Sequence, residues 1–405
     1  MFTLFGNLYS LIRQLVKFSL TLVFILLGMD RKKLLIVTNV DWFLISHRLI
    51  LAKAAVAAGW KVYVACEDTG RGGEISIDGI EFINFPLSRS GTNPIDEFRL
   101  YRRFKELYLK IKPDVVHQIT IKPVVYGSIA AKKAGVRGVV NAISGMGYMF
   151  TEGKIGFLQK IILKLIRIGG NRNNVAFIFQ NNDDKSVLER FGVLKNCKSI
   201  NLIKGSGINL QHFAFKPLPN KDDKIRILFP SRMLWDKGVR ELREASDILK
   251  EKYLENIQFI LVGMADDNNK SAVSKDYLNE WQDGHYVMWK GHVDDMKSEY
   301  ENAHIVILPS YREGLPKTLI EACAIGRAIV TTEAVGCKDC VDEADNGLKV
   351  PVKDGRALAI AIEKLLHNKS LIVEMGKKGR EKAEREFNVI DVVNKHLEIY
   401  NSFFK

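Results

Sequence analysis

The chain has little of what holds irregular scaffolds together. Its 405 residues include five cysteines and ten prolines. Cys66, Cys197, Cys323, Cys337 and Cys340 are too few and too scattered for a disulfide framework, which favours a reducing compartment. Cys337-x-x-Cys340 has no second ligand pair beside it, which argues against a zinc or redox centre. Scarce proline and an ordinary 26% of charged residues exclude a mostly disordered or fibrous chain. Asp-x-Asp pairs of the metal-holding kind are absent; there are only adjacent acids such as Asp294-Asp295. Long apolar runs are missing too. The run Phe18–Met29 has 12 residues and includes Ser19, Thr21 and Gly28, short of the roughly 20 that a membrane-spanning helix needs.

Acidic residues are scarce in one half only. Met1–Ile203 carries 29 Lys and Arg against 15 Asp and Glu, a net of +14, and the remainder carries 31 against 32. The whole excess of +13 therefore lies in the first half. Such a charge suits nucleic acid or an anionic membrane surface. The chain lacks zinc-finger spacing, a basic tail and the aromatic-basic signature of RNA-binding sheets, so no nucleic-acid partner is expected.

Residues 1–30 point to membrane. Thr3, Asn7, Ser10, Gln14, Lys17 and Thr21 recur at helical spacing and form one polar stripe among Leu, Phe, Ile and Val. This reads as an amphipathic, interfacial leader; the other reading is that translation starts at Met29. A second amphipathic stretch runs from Gly153 to Arg172. There Lys160, Lys164 and Arg167 line one side and Leu158, Ile161, Ile162, Leu165, Ile166 and Ile168 form a broad apolar surface. A helix packed on its own domain explains it equally well. The run Arg99, Arg102, Arg103, Lys105, Lys110, Lys112 reads as a solvated helix face.

From Lys32 onward, strand-like and helix-like segments alternate. Leu34–Thr38 reads as a strand, His47–Ala58 as a helix stopped by Gly59, Val62–Ala65 and Val115–His117 as strands, Val124–Ala134 as a helix and Val139–Ala142 as a strand. The pattern restarts at Ile225–Pro230 and continues through Ile257–Val262, Tyr286–Trp289, Ile305–Leu308 and Ala328–Thr332. Alternation with short connections predicts an α/β fold with two successive doubly wound parallel-sheet domains. The expected division is a leader at 1–30, an N-terminal domain at 31–204, a C-terminal domain at 205–385 and a last helix at 386–405 that packs back across the domains. Sites in such sheets lie beyond the carboxyl ends of the strands, so two facing domains form a cleft.

The most informative stretch is Pro309-Ser310-Tyr311-Arg312-Glu313-Gly314-Leu315-Pro316-Lys317-Thr318-Leu319-Ile320-Glu321-Ala322. A strand runs into a Gly/Pro loop and then a helix, whose first turn offers unpaired backbone N–H groups to a phosphate. Glu313 precedes the helix and Glu321 lies two turns into it, at different depths beside one bound molecule. Carboxylates suit sugar hydroxyls because they accept strong hydrogen bonds.

With Gly326 following, this stretch resembles the signature of the retaining glycosyltransferases of family 4, whose GT-B fold sets two Rossmann-like domains face to face. The likeness covers nearly all of Lys32–Lys405. Ser231-Arg232-Met233 with Lys237-Gly238 resembles the family's diphosphate-binding pair, and Gly205-Ser206-Gly207-Ile208-Asn209 with Phe213 its interdomain junction. Val116-His117, Thr120, Lys122-Pro123, Gly127 and Ser144 to Lys154 are similar to the capsule and O-antigen branch. The resemblance implies a UDP-sugar donor, with no other cofactor and no catalytic metal. It also implies an undecaprenyl-diphosphate-linked saccharide as acceptor, and an enzyme resting peripherally or monotopically on the cytoplasmic face of a bacterial inner membrane.

It further implies roles. Glu313, Arg232, Lys237 and His117 are the expected catalytic residues. Arg232 and Lys237 would bind the diphosphate, Gly291-His292-Val293 the base, and Glu313, Gly314, Leu315 and Pro316 the sugar and phosphate. Glu321 would hold the ribose. His47, Arg48 and Ser144 would meet the acceptor. Where many members carry a glycine-rich loop after the first strand, this chain has Asn39-Val40-Asp41-Trp42-Phe43-Leu44. The reaction implied is transfer of an N-acetylhexosamine with retention; a nucleotide-sugar epimerase on the same fold and a non-catalytic subunit of a polysaccharide assembly complex are the other readings.

Overall fold

The computed structural model describes residues 31–76, 79–87, 93–146, 156–219, 224–266, 269 and 271–405. The leader at 1–30 and residues 147–155 lie outside the described residues.

The first sheet is built from β1 (Lys33–Val40), α1 (Asp41–His47), α2 (Leu49–Ala57), β2 (Lys61–Glu67), β3 (Ile80–Asn84), α3 (Pro94–Ile111) and β4 (Val115–Ile119). It continues through α4 (Ser128–Ala134), β5 (Gly138–Ile143), α5 (Phe157–Gly170), β6 (Val175–Phe179), α6 (Asn182–Arg190) and β7 (Ser199–Leu202). Its seven strands run parallel in the order β3-β2-β1-β4-β5-β6-β7. Order reverses between β1 and β4, and that reversal opens a crevice at the strands' carboxyl edge. The strands are apolar on both faces, as a sheet covered by helices on both sides requires.

The second sheet repeats the plan with β8 (Ile225–Pro230), α7 (Val239–Tyr253), β9 (Ile257–Val262), α8 (Lys275–Trp281), β10 (Val287–Trp289), α9 (Met296–Glu301) and β11 (Ile305–Leu308). It is completed by α10 (Lys317–Ile325), β12 (Ala328–Thr332), β13 (Gly347–Val350), α11 (Gly355–His367) and α12 (Lys369–Glu386). Its parallel order is β10-β9-β8-β11-β12-β13. Both sheets have the doubly wound architecture that the alternation predicts.

The chain passes between the domains twice, and the two passages lie side by side. The Ile208 amide donates to Phe387 O at 2.7 Å and the Val389 amide to Ile208 O at 3.0 Å. Lys204 and Glu386 pair across them at 2.6 Å. After the return, α13 (Val389–Asn401) covers one face of the first sheet, where Val392, Ile399 and Tyr400 join Leu34, Ile36, Val115 and Ile119 in one buried cluster.

That helix corrects one expectation. His117 is fully buried on β4, with Nδ1 2.6 Å from the Tyr400 hydroxyl. Strand alternation turns it with Val115 and Ile119 toward α13, so it does not reach the cleft. A second expectation shifts as well. The periodicity predicts a helix from His47, whereas the backbone turns helical at Asp41, runs to His47, breaks at Arg48 (φ −135°) and resumes at Leu49. Asp41 is fixed there because its carboxylate accepts from the amides of Thr69 and Arg71 and from the Thr69 hydroxyl, at 2.6–2.9 Å. Among the described residues no helix is long and apolar enough to cross a membrane.

Candidate active site

A cleft of about 620 Å³ lies between the two sheets' carboxyl edges. On the C-terminal side, the loop after β11 and the turn after β8 meet. Gly238 makes this possible: at φ +80° it lies so close to Pro309 that a Cβ would come 2.2 Å from the Pro309 carbonyl oxygen. The meeting brings Lys237 against Glu313, and the two form an ion pair in which both side chains are largely buried. Arg232, on the same turn, reaches outward and is held by Asp266 at 3.0 Å.

Beyond the loop, α10 opens without a side-chain cap. Leu319 and Ile320 donate to Pro316 O, while Lys317 and Thr318 line the cleft. An uncapped first turn with its positive dipole end facing a cavity is an anion site. Glu321 follows one turn later on the same helix, 7% exposed, with Lys317 3.3 Å away. His292 and Val293 also line the cleft. Gly291 is not part of the lining; its carbonyl accepts from the Gly263 amide at 2.7 Å.

The N-terminal side is of another kind. Asn39, Trp42, Phe43, His47, Thr120, Ser144, Gly145 and Gln180 face the cavity. His47 lies flat against Phe43, ring centroids 4.4 Å apart, and its Nδ1 meets the Ser46 hydroxyl at 2.6 Å. Burial, then the nearby charges of Lys317 and Arg48, push its pKa down to about 3, so it is neutral at physiological pH. Arg48, expected beside it on the cleft, points the other way. It is 2% exposed and lies toward Tyr400, His117 and His396, where burial lowers its pKa to about 10. The break at Arg48 turns consecutive side chains to opposite sides.

Around Gly314 the two walls touch. A Cβ on Gly314 would come 2.2 Å from Ser144 O, and its carbonyl accepts from Asn181 Nδ2 at 2.8 Å. Arg312 pairs with Asp184, which is fully buried and also accepts from the Met146 amide at 3.3 Å and Asn181 Nδ2 at 3.2 Å. Burial raises the Asp184 pKa, with Arg312 pulling the other way. Lys338 and Asp183 pair at 3.1 Å nearby, and Lys317 Nζ donates to Ser46 O at 3.0 Å. The loop that carries Glu313 is thus held by the opposite domain. Nothing in the local sequence of Asn181–Asp184 signals this, since the same residues read as an ordinary helix N-terminus, which they also form.

The site therefore combines two cations and a helix N-terminus at one end, a glutamate bound to one of those cations, and a second glutamate deeper in. Two family models match the chain: Glycosyl transferase 4-like over residues 33–181 and Glycosyl transferases group 1 over residues 211–382. Together the two models span most of the chain, and both of its domains are glycosyltransferase domains. Each model falls on one of the two sheets, and the second contains Arg232, Lys237, Glu313 and Glu321.

Two relatives show how far the likeness extends. The N,N'-diacetylbacillosaminyl-diphospho-undecaprenol alpha-1,3-N-acetylgalactosaminyltransferase of Campylobacter jejuni is 28% identical over 341 residues, covering 81% of this chain and 87% of the relative. The UDP-Gal:alpha-D-GlcNAc-diphosphoundecaprenol alpha-1,3-galactosyltransferase of Escherichia coli is 24% identical, over 84% of this glycosyltransferase and 88% of its own length. Among solved structures, HepE of Anabaena in complex with UDP-glucose superposes with a TM-score of 0.72 over 91% of this chain and 99% of that one, at 17% identity. At that identity it supports the GT-B fold alone.

Proposed function

We propose that this glycosyltransferase moves an N-acetylhexosamine from a UDP-sugar to an undecaprenyl-diphosphate-linked saccharide, with retention of anomeric configuration, in the synthesis of a bacterial surface polysaccharide. The observation that carries the reading is that Arg232, Lys237 and the open first turn of α10 line one cleft together with the carboxylates Glu313 and Glu321. A departing nucleoside diphosphate gains negative charge in the transition state. Two fixed cations and a helix dipole meet that charge where it develops and supply the stabilisation without a metal. Glu313, beside Lys237, then faces the sugar at the reacting end, and Glu321 the ribose. The names of the two relatives, both undecaprenol-diphosphate-dependent alpha-transferases, support the acceptor class and the retention.

The basic first half fits a peripheral place on the cytoplasmic face of the inner membrane. Phe157, Leu158 and Ile161 on α5 and Ile95 and Phe98 on α3 are exposed, interleaved with exposed Lys160, Lys164, Arg99 and Arg102. Both helices cover the same face of the sheet, and as crossovers between parallel strands they start from its carboxyl edge. An apolar and basic rim there would bring a membrane-held acceptor to the site.

The test is incubation of the purified protein with a panel of UDP-sugars, with and without lipid-linked saccharides extracted from membranes, followed by mass analysis and NMR of the new linkage. An α-linked product that forms only with acceptor present is the expected result. Conversion of the UDP-sugar without acceptor would replace the reading with an epimerase.

A further inference from the structure

The N-terminal wall of the cleft holds two features that the diphosphate chemistry leaves unexplained. The first is Thr120, on the turn that leaves β4. Its φ is +75°, a left-handed conformation in which a β-branched residue is strained and a glycine is not. Strain of this kind persists where a side chain is needed in that place. The Thr120 hydroxyl donates to Asn39 Oδ1 at 2.8 Å, across the β1/β4 crevice where the strand order reverses. In this arrangement the lone pairs of Thr120 Oγ1 and the Asn39 Nδ2 donors remain for a ligand. One acceptor beside one donor is the complement of a sugar hydroxyl, which both gives and receives a hydrogen bond.

The second feature replaces the glycine-rich loop. Trp42 and Phe43 both line the cleft, with ring centroids 6.4 Å apart at 74°. Phe43 is backed by the flat, neutral His47 ring, so the aromatic surface is rigid. A glycine-rich loop lets a phosphate approach the backbone; two aromatic rings instead offer an apolar face. The C–H face of a pyranose is the apolar surface a sugar presents, and its hydroxyls project from the edge. An aromatic platform with a hydroxyl-reading pair next to it takes both.

We infer that Trp42, Phe43, Asn39 and Thr120 form a pyranose subsite for the acceptor, the sugar ring stacked on Trp42 with Phe43 at its edge and one hydroxyl read by Thr120 and Asn39. The inference rests on the transferase reading, which assigns the opposite wall to the donor diphosphate and so leaves this wall to the other substrate. Few polar groups on an apolar floor fix orientation, and a site built to bond one hydroxyl rejects a sugar that lacks it.

The experiment compares the full chain with its Thr120→Gly, Asn39→Ala and Trp42→Leu variants. Three quantities are read: thermal midpoint, UDP affinity by calorimetry, and affinity of the UDP-saturated protein for methyl glycosides of N-acetylglucosamine, N-acetylgalactosamine and galactose by saturation-transfer NMR. The wild type should bind at least one glycoside, with saturation strongest on its C–H face. Thr120→Gly relieves the backbone, so its midpoint should hold or rise, while glycoside affinity falls about tenfold or more and UDP affinity stays within about twofold. Asn39→Ala, which leaves the backbone alone, should repeat the loss, and Trp42→Leu should also abolish the facial pattern. Glycoside affinities unchanged in all three variants, or a wild type that binds UDP but no glycoside, would overturn the subsite. A wild type that binds no UDP would instead remove the transferase reading beneath it.

Discussion

The two walls of the cleft invert the charge of the halves they belong to. The first half of the chain carries +14, yet among the described residues its side of the cleft has no lysine, arginine, aspartate or glutamate. The second half carries −1 and lines the same cavity with Arg232, Lys237, Lys317, Glu313 and Glu321. Net charge therefore says nothing about which wall does ionic chemistry. The positive excess of the first half lies on helix surfaces such as those of α3 and α5, where it acts on what lies outside the cleft. The wall that holds charge is ordered by ion pairs. The neutral wall is ordered by packing, by ring stacking and by a strained turn.

The contact between the walls is the place to break this comparison. Asp184→Ala would remove the buried carboxylate that Arg312 pairs with, at a cost of about 3–5 kcal/mol, and should lower the thermal midpoint and separate the two domains' unfolding in calorimetry. A midpoint within a degree or two of wild type would mean that the pair contributes nothing across the interface.

The charged wall is tested by Lys237→Met. Loss of a fixed cation at the leaving group should reduce kcat by about 10²–10³, or roughly 2.7–4 kcal/mol, with acceptor KM little changed. A variant that instead raised acceptor KM at constant kcat would place Lys237 on the wrong side of the comparison.

The smallest effect concerns the buried histidines behind the first sheet. His117 and His396 are buried and uncharged, their pKa values pushed below the ordinary 6.5 mainly by burial, that of His396 to about 3. Only the unfolded chain takes up protons on these groups as the pH falls below about 6.5. The stability they allow is thus complete above that pH, and is lost below it at about 1.4 kcal/mol per pH unit for each histidine. His47 adds to the same slope. Urea unfolding at pH 7.5, 6.5 and 5.5 should show it, and His396→Leu should remove one histidine's share; a flat profile would show that these rings take up protons alike in the folded and unfolded chain.

Much of the fold was legible because parallel α/β sheets write themselves locally. Apolar strand runs, glycines after helices and the restart near residue 225 each reflect a constraint that acts within a few residues. The α10 site was legible for the same reason, since strand, loop and helix N-terminus are contiguous and Glu313 and Glu321 share one short segment. His117 was misplaced because its environment is not local. The Tyr400 that holds it is 283 residues away, on a helix that crosses back to the first domain. Arg48 was misplaced by a single backbone break that no periodicity signals.

By itself, then, the sequence determined the two sheets, their order along the chain and the strand–loop–helix segment that ends in α10, all set by hydrophobic period and turn chemistry. Tertiary structure alone decided that Lys237 meets Glu313 across 76 residues and that Asp184 meets Arg312 across 128. It also decided that Asn39 and Thr120 face each other over the β1/β4 crevice. Such pairs depend on how one strand's end is set against another's, and that follows from sheet order and domain contact, which no window of neighbouring residues contains.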